Sequence, residues 1–151
     1  MKKKGKKRII NVSVALIINE QGKILFTQRY NPTSSEVNDK WQLPGGTVEY
    51  GEHPIETLRR EIKEEVNLTI QPLTHYPAVV THIYPHDPTQ IILFVYPATI
   101  ISGTLSFKND PYTKDARWYN YNEINFSNCL PKLEEILSLC KTFIASPYTI
   151  I

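Results

Sequence analysis

Between Gly45 and Leu68 the chain passes from a glycine-rich turn into apolar residues that recur at helical spacing. Pro54 suits the first turn of a helix, where its missing N–H would have no partner, and Asn67 suits the left-handed residue that ends one. The spacing therefore predicts a helix over 54–66. At about 100° per residue, Ile55, Leu58, Ile62 and Val66 share an arc that can face a core. Glu61, Glu64 and Glu65 gather on the neighbouring arc, because residues three and four apart on a helix stand side by side. Three carboxylates are thereby aimed at one place. Like charges so spaced cost about 0.2–0.5 kcal/mol per exposed pair, and more where water is excluded. A divalent cation removes that cost, and a few hard oxygen ligands that leave room for waters and phosphates are what Mg²⁺ takes. A solvated acidic face in which Arg60 bridges Glu56 and Glu64 accounts for the same charges without a metal.

The full spacing narrows this choice. Gly46, Glu52, Arg60, Glu61, Ile62, Glu64, Glu65 and Leu68 follow the order glycine, five residues, glutamate, seven residues, then Arg-Glu-aliphatic-any-Glu-Glu-any-Gly-aliphatic. In this the chain resembles the Nudix hydrolases. Asn67 stands where the family has glycine. Asparagine tolerates positive φ best after glycine, so the helix stop is kept at a modest cost in stability. His53 stands where a Ser or Thr cap is usual and is expected to cap less well.

The resemblance implies an α/β fold, a Nudix-type α/β/α sandwich with a central mixed β-sheet. It implies metal-dependent hydrolysis, with Mg²⁺ or Mn²⁺, of the pyrophosphate linkage in a nucleoside diphosphate joined to another group. On that reading Glu61 and Glu65 are the primary metal ligands, Glu64 completes the set, and the Gly45 carbonyl joins them. Arg60 orients a neighbouring glutamate through charge-assisted hydrogen bonds. Glu52 bonds to Arg60 or to a metal-bound water. Asp115, in the run Asp115-Ala116-Arg117-Trp118, matches a late segment where many members supply another acid. Glu61 leads as general base and Asp115 follows, because ligation depresses a carboxylate pKa and weakens it as a base.

Before this segment, 9–18 and 23–30 read as strands joined by a turn at 19–22, 31–40 as a polar loop, and 41–43 as a short strand. After it, 68–73 and 76–84 are extended. A turn at 85–89 leads to an apolar strand over 90–96, and 98–107 is expected to add another. Leu130-Pro131 opens a last helix whose Leu133, Ile136, Leu137, Cys140 and Phe143 sit at core spacing, covering the sheet's other face. One domain over 9–151 follows, preceded by a basic tail at 1–8.

Six of the 17 basic side chains lie in that tail, which leaves 11 against 15 acidic ones in the body. An acidic body repels a polyphosphate, which favours recruitment through a metal. The tail lacks interleaved aromatics, so it reads as a solubilising end and nucleic acid is not expected as a partner. Cys129 and Cys140 have no zinc spacing and read as buried thiols. His82 and His86, at the hairpin around 85–89, lie four positions apart, which in a strand is no metal pair. The longest near-apolar run, 91–101, is too short to cross a bilayer, so a cytoplasmic protein without a membrane partner is expected. A homodimer is compatible with the sequence.

Substrate choice lies outside the acidic segment. Arg29 is placed to contact a phosphate, Gly46 to let a ligand approach the backbone, and Trp41 and Tyr84 to stack a base. Tyr84 lies near where diadenosine polyphosphate hydrolases of the family carry a tyrosine, and Pro85 near where ADP-ribose pyrophosphatases carry a proline, so the two markers compete. Small size favours (deoxy)nucleoside triphosphates, damaged ones included, over ADP-ribose or dinucleoside polyphosphates. A Nudix-fold module that binds nucleotide or RNA without catalysis is the alternative of another class, and a plain interaction domain a third.

Overall fold

The second half of the first strand, β1 (Arg8–Ile17), is buried on both faces, as a strand between two layers is. Its residues sort by parity. Val14 and Leu16, with Ile18 just past the strand, enter one core, and Ala15 and Ile17 enter the other. The computed structural model describes residues 5–145, and the sheet that β1 anchors organises them.

β1 pairs in parallel with β7 (Thr89–Gly103) and antiparallel with β4 (Gly45–Thr47). β7 in turn pairs antiparallel with β5 (Leu68–Pro72) and β6 (Ala78–Ile83), giving a mixed five-stranded sheet. A second, antiparallel sheet joins β3 (Trp41–Gln42), β2 (Ile24–Arg29) and β8 (Thr113–Tyr119). β2 serves both cores, with Ile24 and Phe26 on one side and Leu25 on the other. Helix α1 (Pro54–Val66) covers one face through Leu58, Ile62 and Val66. Helix α2 (Leu133–Leu139) covers the other through Leu133, Ile136 and Leu137. The result is the α/β/α sandwich with a mixed sheet.

Several boundaries differ from the sequence reading. The expected strands 90–96 and 98–107 are one continuous strand, β7. Pro97 sits where its pairing passes from β6 to β5, and the Pro97 carbonyl accepts from the Leu73 N–H at 2.8 Å. A proline survives in a central strand at such a handover because no ladder N–H is demanded there. The glycine turn is itself a short strand, β4, and 113–119 forms β8. Of the expected tail, 1–4 lie outside the described residues and 5–7 carry no regular structure. Arg8 already belongs to β1, its Nε donating to Thr89 Oγ1 at 2.8 Å. The last helix starts only at Leu133, after Lys132 at φ 74°, and breaks at Cys140 before α3 (Lys141–Ala145). Cys140 is buried and Cys129 only half-buried. Among the described residues no helix is long and apolar enough to cross a membrane.

Candidate active site

Both ends of α1 are fixed by local chemistry. At its start His53 Nδ1 accepts from the Ile55 N–H at 3.1 Å, and Glu56 reaches back to accept from the His53 N–H at 3.0 Å. A histidine therefore closes a full capping box, better than the sequence reading allowed. At its end Asn67 adopts φ 60° and donates its backbone N–H to the Lys63 carbonyl. Buried Ser13 of β1 ties the first turn to the sheet, donating to the Pro54 carbonyl at 2.8 Å.

This placement brings the Glu61, Glu64 and Glu65 side of α1 against β4. The three glutamates line one cleft of about 620 Å³ together with Gly45, Gly46, Arg29, Glu49 and the 109–113 loop. Gly46 is glycine because the Glu61 carboxylate packs directly on it: a Cβ there would lie 2.6 Å from both carboxylate oxygens. At Gly45 a Cβ would collide with the Ser13 carbonyl across the β1–β4 pair.

The three carboxylates live in different surroundings. Glu65 is 6% exposed. It accepts from Thr27 Oγ1 at 3.0 Å and from the Gly45 N–H at 3.1 Å, with Thr113 Oγ1 at 3.5 Å. Burial pushes its pKa up to about 7 despite these donors. Glu61 is half-buried and shifted upward, again chiefly by burial, with the Arg60 guanidinium opposing the shift. Glu64 is exposed.

Arg60 ties the acids together. It meets Glu52 through two hydrogen bonds, at 2.9 and 2.8 Å, donates to Glu61 Oε1 at 2.7 Å, and reaches Glu64 Oε2 at 3.4 Å. Glu52 is held at about 2, chiefly by Arg60. Thr57 Oγ1 donates to the same carboxylate. The expected pairing of Arg60 with Glu52 is present. Glu56 is spent on the cap rather than on Arg60.

As the side chains lie, no three His, Cys, Asp or Glu groups among the described residues converge closely enough to hold an ion. Each carboxylate instead leans on a donor of the protein, Glu61 on Arg60 and Glu65 on Gly45 and Thr27. The donor set nevertheless fits a hard divalent cation: three carboxylates line one cleft with the Gly45 backbone, and the exposed Glu64 is held there only by a 3.4 Å bond from Arg60.

Other expected residues divide. Arg29 and Tyr84 line a neighbouring cavity and Arg29 lines the cleft as well. Trp41 does not reach either space. It packs edge to face on Tyr119, with the Arg117 guanidinium 5.8 Å from its ring centroid. Asp115 is not in the cleft lining and pairs with Arg117 at 2.7 Å. The acid that the late segment does place in the cleft is Asp110, which accepts from Thr113 Oγ1 at 2.7 Å. Asn109-Asp110-Pro111 reads in the sequence as a strand-ending turn, and only the fold brings it into the cleft lining with the α1 glutamates. Thr27 and Thr113 carried no signal of their own.

The chain matches the NUDIX domain family over residues 7–139. It is 36% identical over 116 residues to the 8-oxo-dGDP phosphatase NUDT18 of Mus musculus, covering 76% of this chain and 33% of that protein. It thus spans about a third of that relative's length. It is 25% identical over 135 residues to the 8-oxo-dGTP diphosphatase of Escherichia coli K12, covering 87% of this chain and 96% of that one. A NUDIX hydrolase structure from Nitrosomonas europaea superposes with a TM-score of 0.76 at 20% identity, over 89% of this chain and 90% of that one. That likeness is one of fold.

Proposed function

This chain belongs to the NUDIX domain family, and on that premise we propose that it is a pyrophosphohydrolase acting on (deoxy)nucleoside triphosphates or diphosphates, oxidised ones included. The observation that carries the reading is the cleft itself. A carboxylate that is almost wholly buried, Glu65, shares it with Glu61, Glu64 and a glycine backbone. An ionised carboxylate in such a place is costly unless a positive charge joins it. The cognate substrates named for the relatives, 8-oxo-dGDP and 8-oxo-dGTP, motivate the choice of nucleotide.

Glu61, Glu64, Glu65 and the Gly45 carbonyl would hold Mg²⁺ or Mn²⁺, with Asp110 rather than Asp115 as the acid from the late segment. When bound, the ion polarises a phosphoryl oxygen and makes a water acidic enough to attack near neutral pH. The chain's own residues do the rest. Arg60 fixes the Glu61 rotamer and is itself fixed by Glu52. Gly45 and Thr27 hold the Glu65 carboxylate at the back wall. Among the described residues the Arg29 side chain makes no hydrogen bond or ion pair, which leaves its guanidinium available to a phosphate of the substrate at the cleft mouth. Glu61, which lines the cleft against Gly46, is the leading candidate to take a proton from water.

The test is a panel of nucleoside triphosphates, diphosphates, ADP-ribose and dinucleoside polyphosphates, each with Mg²⁺ or Mn²⁺, followed by product identification to locate the cleaved P–O bond. Release of nucleoside monophosphate from a tri- or diphosphate is expected. Nucleotide or RNA affinity without turnover on any member would favour the non-catalytic binding module.

A further inference from the structure

The pairing of β2 with β8 slips by one residue at its cleft end. Gln28 lies opposite Asp115 and Arg29 opposite Thr113, so Lys114 is passed over as a β-bulge. The slip decides which residue faces α1. Directly paired residues share a face of the sheet, and Leu25 and Trp118, a pair, both pack in the α1-side core. Thr27 and Arg29 follow Leu25 at alternate positions and carry that face on into the cleft, where Thr27 meets Glu65 and Arg29 lines the wall. Without the bulge Lys114 would stand opposite Arg29, two like charges in one pair. With it Thr113 stands there instead, 9% exposed and lining the cleft.

Lys114 is carried out of the cleft wall. Its Nζ pairs with Asp39 Oδ1 at 2.8 Å, and the Asp39 N–H donates to the Arg29 carbonyl, also at 2.8 Å, from a backbone at φ 62°. The loop before β3 thus clasps the bulge from outside. Inside, Thr113 Oγ1 stands between two acids, 2.7 Å from Asp110 Oδ2 and 3.5 Å from Glu65 Oε1. A hydroxyl has one proton to give, and the shorter contact takes it. Asp110 Oδ1 accepts from the Tyr112 N–H at 3.0 Å, so both oxygens of this carboxylate are held. Glu65 has Thr27 and Gly45 as nearer donors and does not depend on Thr113.

Resting on the hydrolase reading above, we propose that Thr113 is a positioning residue. Set on the α1 face by the Lys114 bulge, its hydroxyl holds the Asp110 carboxylate beside Glu65, so that the acid of the late segment and the acids of the helix serve one divalent cation. Thr113 acts through Asp110 and is not itself a ligand.

The test reads metal binding apart from turnover. Mn²⁺ is titrated into the full chain without nucleotide and followed by the electron paramagnetic resonance of the free ion. Thr113→Val, which keeps the shape and removes the hydroxyl, is expected to weaken Mn²⁺ binding about tenfold, and Thr113→Ser to restore it to within about twofold of wild type. In an Asp110→Asn background Thr113→Val should change nothing further, whereas a role in packing alone would persist there. Thermal melts check folding, and Thr113→Ala removes the same hydroxyl should the valine variant not fold. A folded Thr113→Val or Thr113→Ala with wild-type Mn²⁺ affinity, or an equal loss in the Asp110→Asn background, overturns the positioning role and leaves the hydrolase reading standing. The expected pattern in a chain that cleaves no nucleotide supports the role and refutes hydrolysis. A wild type that binds no Mn²⁺ overturns both.

Discussion

Arg60 and Glu52 meet through two hydrogen bonds at once, Nε to Oε2 at 2.9 Å and Nη2 to Oε1 at 2.8 Å, across the turn that leads into α1. This fork leaves Nη1 aimed at Glu61, so the loop glutamate sets the position of the helix glutamate through the arginine. Lysine carries the charge without the fork. Arg60→Lys is therefore expected to lower kcat about tenfold or more with little change in KM, and to cost about 1–2 kcal/mol in a urea melt. Because Glu52 is depressed to about 2, its stabilising contribution is fully present above the ordinary value of 4.5 and is lost as pH falls through about 2. The stability gap between wild type and Glu52→Gln should narrow over that window.

Glu65 has the opposite sign. Its folded pKa of about 7 lies above 4.5, so the folded state binds the proton more tightly than the unfolded one. Stability from this group is fully present below pH 4.5 and is lost as pH rises through about 7. In EDTA, Glu65→Gln should be more stable than wild type at pH 8, by up to about 3 kcal/mol, and lose that advantage at pH 4.5. Chemical melts at the two pH values read this directly. An added divalent cation should reverse the order at pH 8, since it stabilises only the chain that keeps the carboxylate.

Two adjacent glycines should fail in different ways. The nearest atoms to a Cβ at Gly46 all belong to the end of the Glu61 side chain, which can swing aside. Gly46→Ala is expected to stay within about 1 kcal/mol of wild-type stability and to lose about tenfold or more in kcat. A Cβ at Gly45 meets the Ser13 carbonyl and the Val14 Cα, neither of which can move without breaking the β1–β4 pair. Gly45→Ala should cost about 3 kcal/mol or more. Melting and turnover of the pair separate the two roles.

Asp110 and Asp115 offer a direct contrast. Asp110→Asn is expected to raise the Mg²⁺ concentration needed for half-maximal turnover about tenfold, because Asp110 lines the cleft and Asp115 does not. Asp115→Asn loses only a partly exposed pair with Arg117 and should leave the metal titration unchanged.

Helix α1 was legible to the residue because its signals are local. Pro54, Asn67 and the apolar arc act within one or two turns, and Glu61, Glu64 and Glu65 ride on the same spacing. The His53–Glu56 box was missed, because a histidine is an uncommon cap and Glu56 also stands four residues from Arg60. The long-range parts were not legible. Thr27 and Thr113 reach Glu65 from 38 and 48 residues away, and nothing in a threonine's neighbours announces that it will bond a distant carboxylate. Asp115 was expected from the likeness of its segment to one in the family, and in the fold it pairs with Arg117 while Asp110, in the turn before β8, lines the cleft. Trp41 illustrates the same limit, since a strand's parity tells which residues share a face but not which face meets the ligand. The continuity of β7 was hidden by Pro97, whose place at the handover between two partner strands is a property of the assembled sheet.

The central claim is that the α1 carboxylates act with a divalent cation on a phosphoanhydride. It is tested most directly by titrating Mg²⁺ into wild type, Glu61→Gln and Glu65→Gln with a nucleoside triphosphate and following release of the monophosphate. Wild-type turnover should vanish in EDTA and return with the metal, while each variant falls by about a hundredfold or more and needs higher Mg²⁺. Folded variants that turn over near the wild-type rate with an unchanged metal dependence would contradict it.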